Sequence, residues 1–335
     1  MWIFSACSVG AENEIAVDIW YGENQRFGDL GNPQRQINIL GNIQNLDHKS
    51  RVYYTLNGGD KEIVITLGSD LHRLAMEGDF NIDLQRSELL EGKNHIDLQI
   101  IQDGKKLLSR TLSFNYSAAN SWPLPYFINW NEAGKLQNVV EVVDGDWEIT
   151  SLGAHIKEQY YDRILAFGDS SWANYEVETT VIFHDYIPPA EGPPTYNVSH
   201  VAIASRWPGH DHDSLQPDRK WFPLGATAEF RITDDYDSCR WRIFDGEDLY
   251  VEQEAWEYRS IQPEKKYMLK HCVENISNSE ARYSVKFWPA NEKEPEQWDL
   301  QAVEVMTRKE TGSALLLAHN TEVTFGNVSV IPLDD

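Results

Sequence analysis

Apolar and polar residues alternate with a period of two through most of the chain, the signature of half-buried strands rather than helices. The segment IAVDIWY, then QINILGNI, RVYYTLN, EIVITLG, FNIDLQ, NHIDLQII and LSRTLSFNY, each read as a strand. Between the first two lies GENQRFGDLGNPQ, whose glycines and proline read as a long loop running from Tyr21 to Gln34. Asn57-Gly58-Gly59 supplies a turn that requires residues tolerant of positive φ. About seven short strands over roughly 100 residues predict a β-sandwich. At SAANSWPLPY small residues and prolines interrupt the pattern, which places a domain boundary between residues 117 and 125.

Beyond that boundary the strands lengthen. In YEVETTVIFH the period turns Tyr175, Val177, Val181 and Phe183 inward and leaves Glu176, Glu178, Thr180 and His184 on the opposite face. In HVAIASRWPGHDHDSLQPDRKWF, Val201 and Ile203 face one way, while His200, Ala202, Ala204 and Arg206 face the other. The small alanines predict open space above that second face, and Pro208 with Gly209 ends the strand in a loop. The whole chain is expected to be all-β.

Composition agrees. Trp (12), Tyr (15) and Phe (12) are abundant, and ten of the twelve tryptophans follow residue 120. Acidic residues outnumber basic ones 53 to 29, a net charge of −24 that argues against nucleic acid as a partner. No apolar run reaches the roughly 20 residues that span a bilayer. The opening MWIFSAC reads like the end of a secretory signal, with Phe4, Ser5, Ala6 and Cys7 resembling a bacterial lipoprotein cleavage box. Export to the periplasm, the cell surface or the medium is therefore expected, with a lipid anchor at Cys7 as an option. Cys239 and Cys272 both fall in predicted strands, where buried thiols are favoured over a disulfide.

Two resemblances emerge from these segments. INILGNI, VYYTLNGG, GDFNIDL and LLEGKNHIDLQI resemble a bacterial immunoglobulin-like module over residues 13–117. Such a module implies a spacer or docking role and no chemistry of its own. The segments YDRILAFGDSSWANYEVETTVIF, HVAIASRWPGH, KKYMLKHCVEN, RYSVKFWPANEKEPEQWDL, GSALLLAHN and VTFGNVSVIPL resemble a laminin G-like domain of the concanavalin A-like lectin and glucanase superfamily, over residues 122–333. This second resemblance implies a jelly roll of two curved antiparallel sheets whose concave face commonly binds or cleaves glycans. It also implies structural calcium as an option, and Asp144, Asp146, Asp211, Asp213 and Asp218 offer oxygen ligands.

The densest candidate chemistry lies in residues 200–222. Sugar rings present apolar faces that stack on indoles, and their hydroxyls need polar partners. Trp207, Trp221, His212, Asp218 and Arg242 are candidates for holding substrate, and Arg206, His200 and His210 for catalysis. The plainer alternative is a solvated polar loop held down by its tryptophans. Glu176 and Glu178, roughly 6 to 7 Å apart along one strand face, match the spacing of paired glycosidase carboxylates. Equally, they read as an ordinary solvated strand in an acidic protein. The ExDxxE signature of the superfamily's glucanases is absent.

Arg231, Arg240, Arg242, Lys270, Arg282 and Lys286 alternate with apolar residues. If they share one sheet face they form a cationic trough for an acidic polysaccharide, and a lyase reaction becomes available with Arg206 neutralising the uronate and a histidine exchanging protons. If strands alternate between sheets, the charges scatter. His210-Asp211-His212-Asp213 also offers a weak metal-binding pattern. The expectation is thus an exported protein that binds or cleaves a polysaccharide. The alternatives are a non-catalytic surface lectin or adhesion module and a purely structural surface protein.

Overall fold

The computed structural model describes residues 14–70, 72–188, 198–210, 221–246, 252–305 and 311–333. The described residues are nearly all strand, joined by turns, with one short α-helix at Trp130–Ala133. The all-β expectation holds.

The first part of the chain packs two sheets face to face. Ala16–Ile19, Gln36–Gln44 and Asp79–Gln85 form one, and Asn24–Phe27, Lys105–Tyr116, Gly92–Gln102, Arg51–Leu56 and Ile63–Val64 form the other. Alternate residues of these strands (Ile37, Ile39, Ile82, Leu84, Ile96, Leu98, Ile100) meet in a dry cluster. Each such side chain contributes roughly 1.5–3 kcal/mol by leaving water. The segment read as a loop after Tyr21 contains a short strand, Asn24–Phe27, which runs parallel to Lys105–Tyr116. Gln25 and Phe27 are buried, and the surrounding glycines hide that alternation in the sequence.

The second part is a larger two-sheet sandwich. One sheet has seven strands in the order Glu141–Asp144, Arg163–Phe167, Ser313–His319, Ser199–Trp207, Ala226–Ile232, Cys239–Phe244, Glu252–Glu254. The other has eight. Trp147–Thr150, Gly153–Ile156, Thr321–Pro332, Tyr175–Tyr186, Lys266–Asn275, Glu280–Pro289 and Leu300–Val305 follow in order, and Tyr126–Ile128 pairs beside Thr321–Pro332. Between the sheets lies the main core, which includes Tyr175, Val177, Val181, Phe183, Val201, Ile203, Phe230, Trp241 and Phe287. The alternation read in residues 175–184 is the one observed.

On the other face of the seven-stranded sheet the expectation of open space fails. Ala202 and Ala204 lie in a third apolar cluster with Val143, Trp207, Trp221, Leu315 and Leu317. Small residues on a sheet accommodate a close-packed layer as readily as a cavity, and here the tryptophans fill the space.

Residues from the first part seal this layer at one end. The Tyr21 hydroxyl donates to the Gly145 carbonyl (2.6 Å) and accepts from the Trp147 amide (2.9 Å). Buried Arg73 spans Asp83 (2.9 Å) and Asp144 (3.1 Å), and its guanidinium lies 5.1 Å above the Trp221 ring. Ser313 donates to the Pro33 carbonyl (2.7 Å), and the Arg35 amide donates to the Gly209 carbonyl (3.3 Å).

Candidate functional site

The outward face of the seven-stranded sheet carries a polar stripe that crosses five neighbouring strands. Strand register sets it out. His200 stands opposite His319 on one side and Arg231 on the other. Arg231 stands opposite Arg240, Glu229 opposite Arg242, and Arg242 opposite Glu254. All share one face because the side-chain period of a strand is two.

At its inner end the stripe is a row of rings. His200 and His319 stack with centroids 4.5 Å apart and planes 8° apart, Tyr161 meets His319 edge-on at 4.5 Å, and His72 meets Tyr161 at 5.3 Å. His319 Nδ1 donates to Asp162 Oδ1 (2.7 Å), whose second oxygen accepts from Trp221 Nε1 (3.0 Å). Burial pushes the Asp162 carboxyl up, but the bond and charge of His319, with help from His200 and Trp221, outweigh it and hold the group below its usual value. His200 Nδ1 donates to the Val198 carbonyl (3.0 Å), which directs the basic Nε2 towards Glu229 Oε1 at 3.4 Å. Burial lowers the His200 pKa to about 4, against the opposing pull of Glu229. The ring is therefore neutral near pH 7 and able to accept a proton.

Further out the stripe is ionic and opens to solvent. Glu229 lies between Arg231 (3.8 Å) and Arg242 (3.5 Å), and Glu254 accepts from Arg231 (2.9 Å) and Arg240 (3.2 Å). Just beyond the edge strand, Trp256 is 94% exposed and Tyr258 59% exposed, with the Arg240 guanidinium 5.8 Å from the Tyr258 ring. The stripe thus runs from buried imidazoles, through paired charges, to the sheet edge, where Tyr258 meets Arg240 and the exposed Trp256 follows Glu254 by two residues.

Several expected site residues lie elsewhere. Arg206 is 2% exposed. A register shift between Ala204 and Trp207, with φ of 56° at Arg206, breaks the alternation that would have placed it beside His200. Its side chain instead donates to the Ala173 carbonyl (3.0 Å) and to Asn275 (2.8 Å), across the gap to the other sheet. His210 is buried against Trp207 at 5.4 Å. The indoles of Trp207 and Trp221 are also buried and have no face for a sugar; Trp207 Nε1 donates to the Trp221 carbonyl (2.7 Å). His212, Asp211, Asp213, Asp218 and Cys7 lie outside the described residues. Arg242 does lie on the same face as His200.

Glu176 and Glu178 stand on the outward face of the eight-stranded sheet, away from His200. There they flank Lys270 at 3.4 and 2.9 Å, and Glu294 closes the group with Lys270 (3.0 Å) and Lys286 (2.7 Å). Carboxylates neutralised by a shared lysine are poorly suited to the paired glycosidase role. Of the two readings of the basic residues, the scattered one is observed and no single trough forms. Arg231, Arg240 and Arg242 lie on one sheet, Lys270, Arg282 and Lys286 on the other, and each has an acidic partner.

The calcium option at Asp144 and Asp146 fails on the same ground. Asp144 is bound by Arg73 and Arg163, and Asp146 by Lys157. Asp162, His200 and His319 place donor atoms within 4.8 Å of one another. The parallel rings hold their in-plane lone pairs in separate planes, so one ion at about 2.0–2.1 Å from both nitrogens would require a ring to turn. The set suits proton exchange better than coordination. Cys239 and Cys272 are free and buried, and burial raises both thiols to about 12.

Asp162, His319, Glu229, Glu254, Trp256 and Tyr258 went unread in the sequence. Trp256 carries the one usable signal: it sits in EQEAWEYRS, an indole among charges with no apolar alternation around it.

No family model matches the chain, and no curated protein matches it. Among solved structures, the exoplasmic/lumenal domain of VIP36 in its Ca2+-bound form aligns at 10% identity and a TM-score of 0.35, over 57% of this chain and 83% of that one. A solved structure described under endo-acting O-glycanases of the human gut microbiota aligns at 8% identity and 0.34, over 58% and 83%. A galectin-like protein of unknown function from Bacillus subtilis aligns at 7% identity and 0.32, over 62% and 94%. No helix among the described residues is long and apolar enough to cross a membrane.

Proposed function

We propose that this is an exported glycan-binding protein of concanavalin A-like, laminin G-like architecture, and that its sugar site is the stripe from His319 and His200 to Trp256. The observation that carries this reading is an ionic row on one sheet face that ends at an edge strand followed, two residues on, by an exposed indole. Packing alone has no use for either. Aligned charges at low exposure cost desolvation energy that apolar residues would avoid, and a fully exposed tryptophan gains nothing from the core. A sugar uses both, with hydroxyls on Glu229, Arg231, Arg242 and Glu254 and a ring face on Trp256. Residues 13–117 serve as an immunoglobulin-like module that buttresses the far end of this face through Arg73 and Tyr21.

Binding without cleavage is the simplest form of this reading, since every arginine of the stripe already has a carboxylate partner. Catalysis is a second form, in which the unprotonated His200 Nε2, a weak base at neutral pH, would take a proton from the bound glycan beside Glu229.

The test is a polysaccharide panel with three readouts: retardation in affinity electrophoresis, absorbance at 235 nm and release of reducing ends. Retardation that Trp256→Ala and His200→Gln each weaken supports the reading. New absorbance would mark a lyase, and reducing ends alone a hydrolase. No retardation and no product with any polysaccharide would overturn it.

A further inference from the structure

A groove of about 730 Å³ lies on the outward face of the eight-stranded sheet, the opposite side of the sandwich from the stripe. That volume falls within the range of about 300–1,000 Å³ usual for small-ligand sites. We infer that this groove is a second site, independent of the first, for an uncharged sugar chain.

The floor is built by a local irregularity. Opposite Tyr175–Tyr186, the register of Thr321–Pro332 slips between Thr179 and Val181, so Gly326 and Asn327 together face Thr180. An added Cβ at Gly326 would lie 1.9 Å from Thr180 Oγ1, so any larger residue there would displace the Thr180 side chain. The carbonyl of Gly326 is held by Trp130 Nε1 (2.7 Å) and by Thr179 Oγ1 (3.1 Å). Asn327, exposed by the bulge, accepts from the Trp130 amide (3.2 Å), which commits its oxygen and leaves its amide nitrogen as a donor. The backbone of Gly326 and Asn327, both of which line the groove, is thus shaped and anchored.

The lining then selects the ligand class. Phe127, 61% exposed, and the exposed Leu152 border it, giving apolar surface for a sugar ring. Asn129, Asn131, Asn327 and Ser329 supply amide and hydroxyl groups for sugar hydroxyls. Glu132, Glu178 and Lys266 face the same space, and Glu178 is paired with Lys270 (2.9 Å), so the lining offers no surplus of positive charge. With a chain charge of −24 around it, the groove disfavours a polyanion and leaves neutral glycans as its partners.

Titration calorimetry on the full chain tests this in a Trp256→Ala background, so that failure of the first site does not decide the outcome. Laminarin, glucomannan, galactan and xylan are the neutral probes, with polygalacturonate as the charged comparison. The expected result is binding of at least one neutral glycan, none of polygalacturonate, and about a tenfold loss on adding Phe127→Ala, the effect of one aromatic stacking face. Phe127→Trp, which keeps a flat ring, should restore it. An affinity indifferent to Phe127→Ala would overturn the inference, as would absence of neutral-glycan binding in the Trp256→Ala protein.

Discussion

His200 and His319 stack face to face at 4.5 Å, His319 held by Asp162 (2.7 Å) and His200 by the Val198 carbonyl (3.0 Å), which leaves its Nε2 3.4 Å from Glu229. This pairing places a neutral imidazole in the sheet face and links the site to folding stability. His200 is lowered to about 4 and the buried core residue His271 to about 3, both by desolvation. In the unfolded chain each titrates near 6.5. Below that value the unfolded state binds more protons than the folded state, so stability should fall as the pH drops from 6.5 towards 4. Urea midpoints between pH 4.5 and 7 should show this slope, and His271→Gln should flatten it. A slope unchanged in that variant would remove His271 from the explanation.

Glu141 should act with the opposite sign. It is buried, accepts from Gln34 Nε2 (3.0 Å), and burial raises its pKa from 4.5 to about 7. Its folded pKa lies above its unfolded one, so its contribution is full below pH 4.5 and is lost as the pH rises to about 7. Glu141→Gln keeps the shape without the charge. Its stability gain over the native protein should grow across that window and level off above it, reaching at most about 3 kcal/mol at ~1.4 kcal/mol per unit. Thermal melts at pH 4.5 and pH 8 decide the matter, and an equal gain at both would contradict it.

Arg73 is a cation that ties the two parts of the chain, bridging Asp83 and Asp144 against the Trp221 ring. Arg73→Met leaves two buried carboxylates short of a partner, a loss of about 3–5 kcal/mol. Denaturant unfolding should register that cost, and near-ultraviolet circular dichroism should register a changed Trp221 environment. A variant as stable as the native chain would show that Arg163, 3.3 Å from Asp144, suffices.

Arg206 and His200 should separate structure from binding. Arg206→Lys loses the planar guanidinium that reaches both Ala173 and Asn275, so the melting temperature should fall while glycan affinity per folded molecule holds. His200→Gln should do the reverse. Retained stability with lost affinity in Arg206→Lys would return the arginine to the site.

Much of the fold was legible in the pattern alone. Tyr175, Val177, Val181 and Phe183 alternate cleanly because one face of their strand is dry and the other wet, and hydrophobicity records that contrast directly. Where both faces are covered the record blurs. Along Ser199–Trp207 every residue is buried, so the face above Ala202 and Ala204 read as open when it is packed. At Arg206 one bulge broke the period on which its assignment to the His200 face depended.

By itself the sequence determined the all-β architecture and the candidacy of His200, since both rest on interactions encoded within a few neighbouring residues. Only the tertiary structure decided that His200 meets His319 and Asp162, that the cations divide between two sheets, and that Trp256 rather than Trp207 faces solvent. Those outcomes depend on strand order and register between segments far apart in the chain, His200 and His319 lying more than a hundred residues from each other, and a local pattern of polarity carries no information about which distant strand becomes a neighbour.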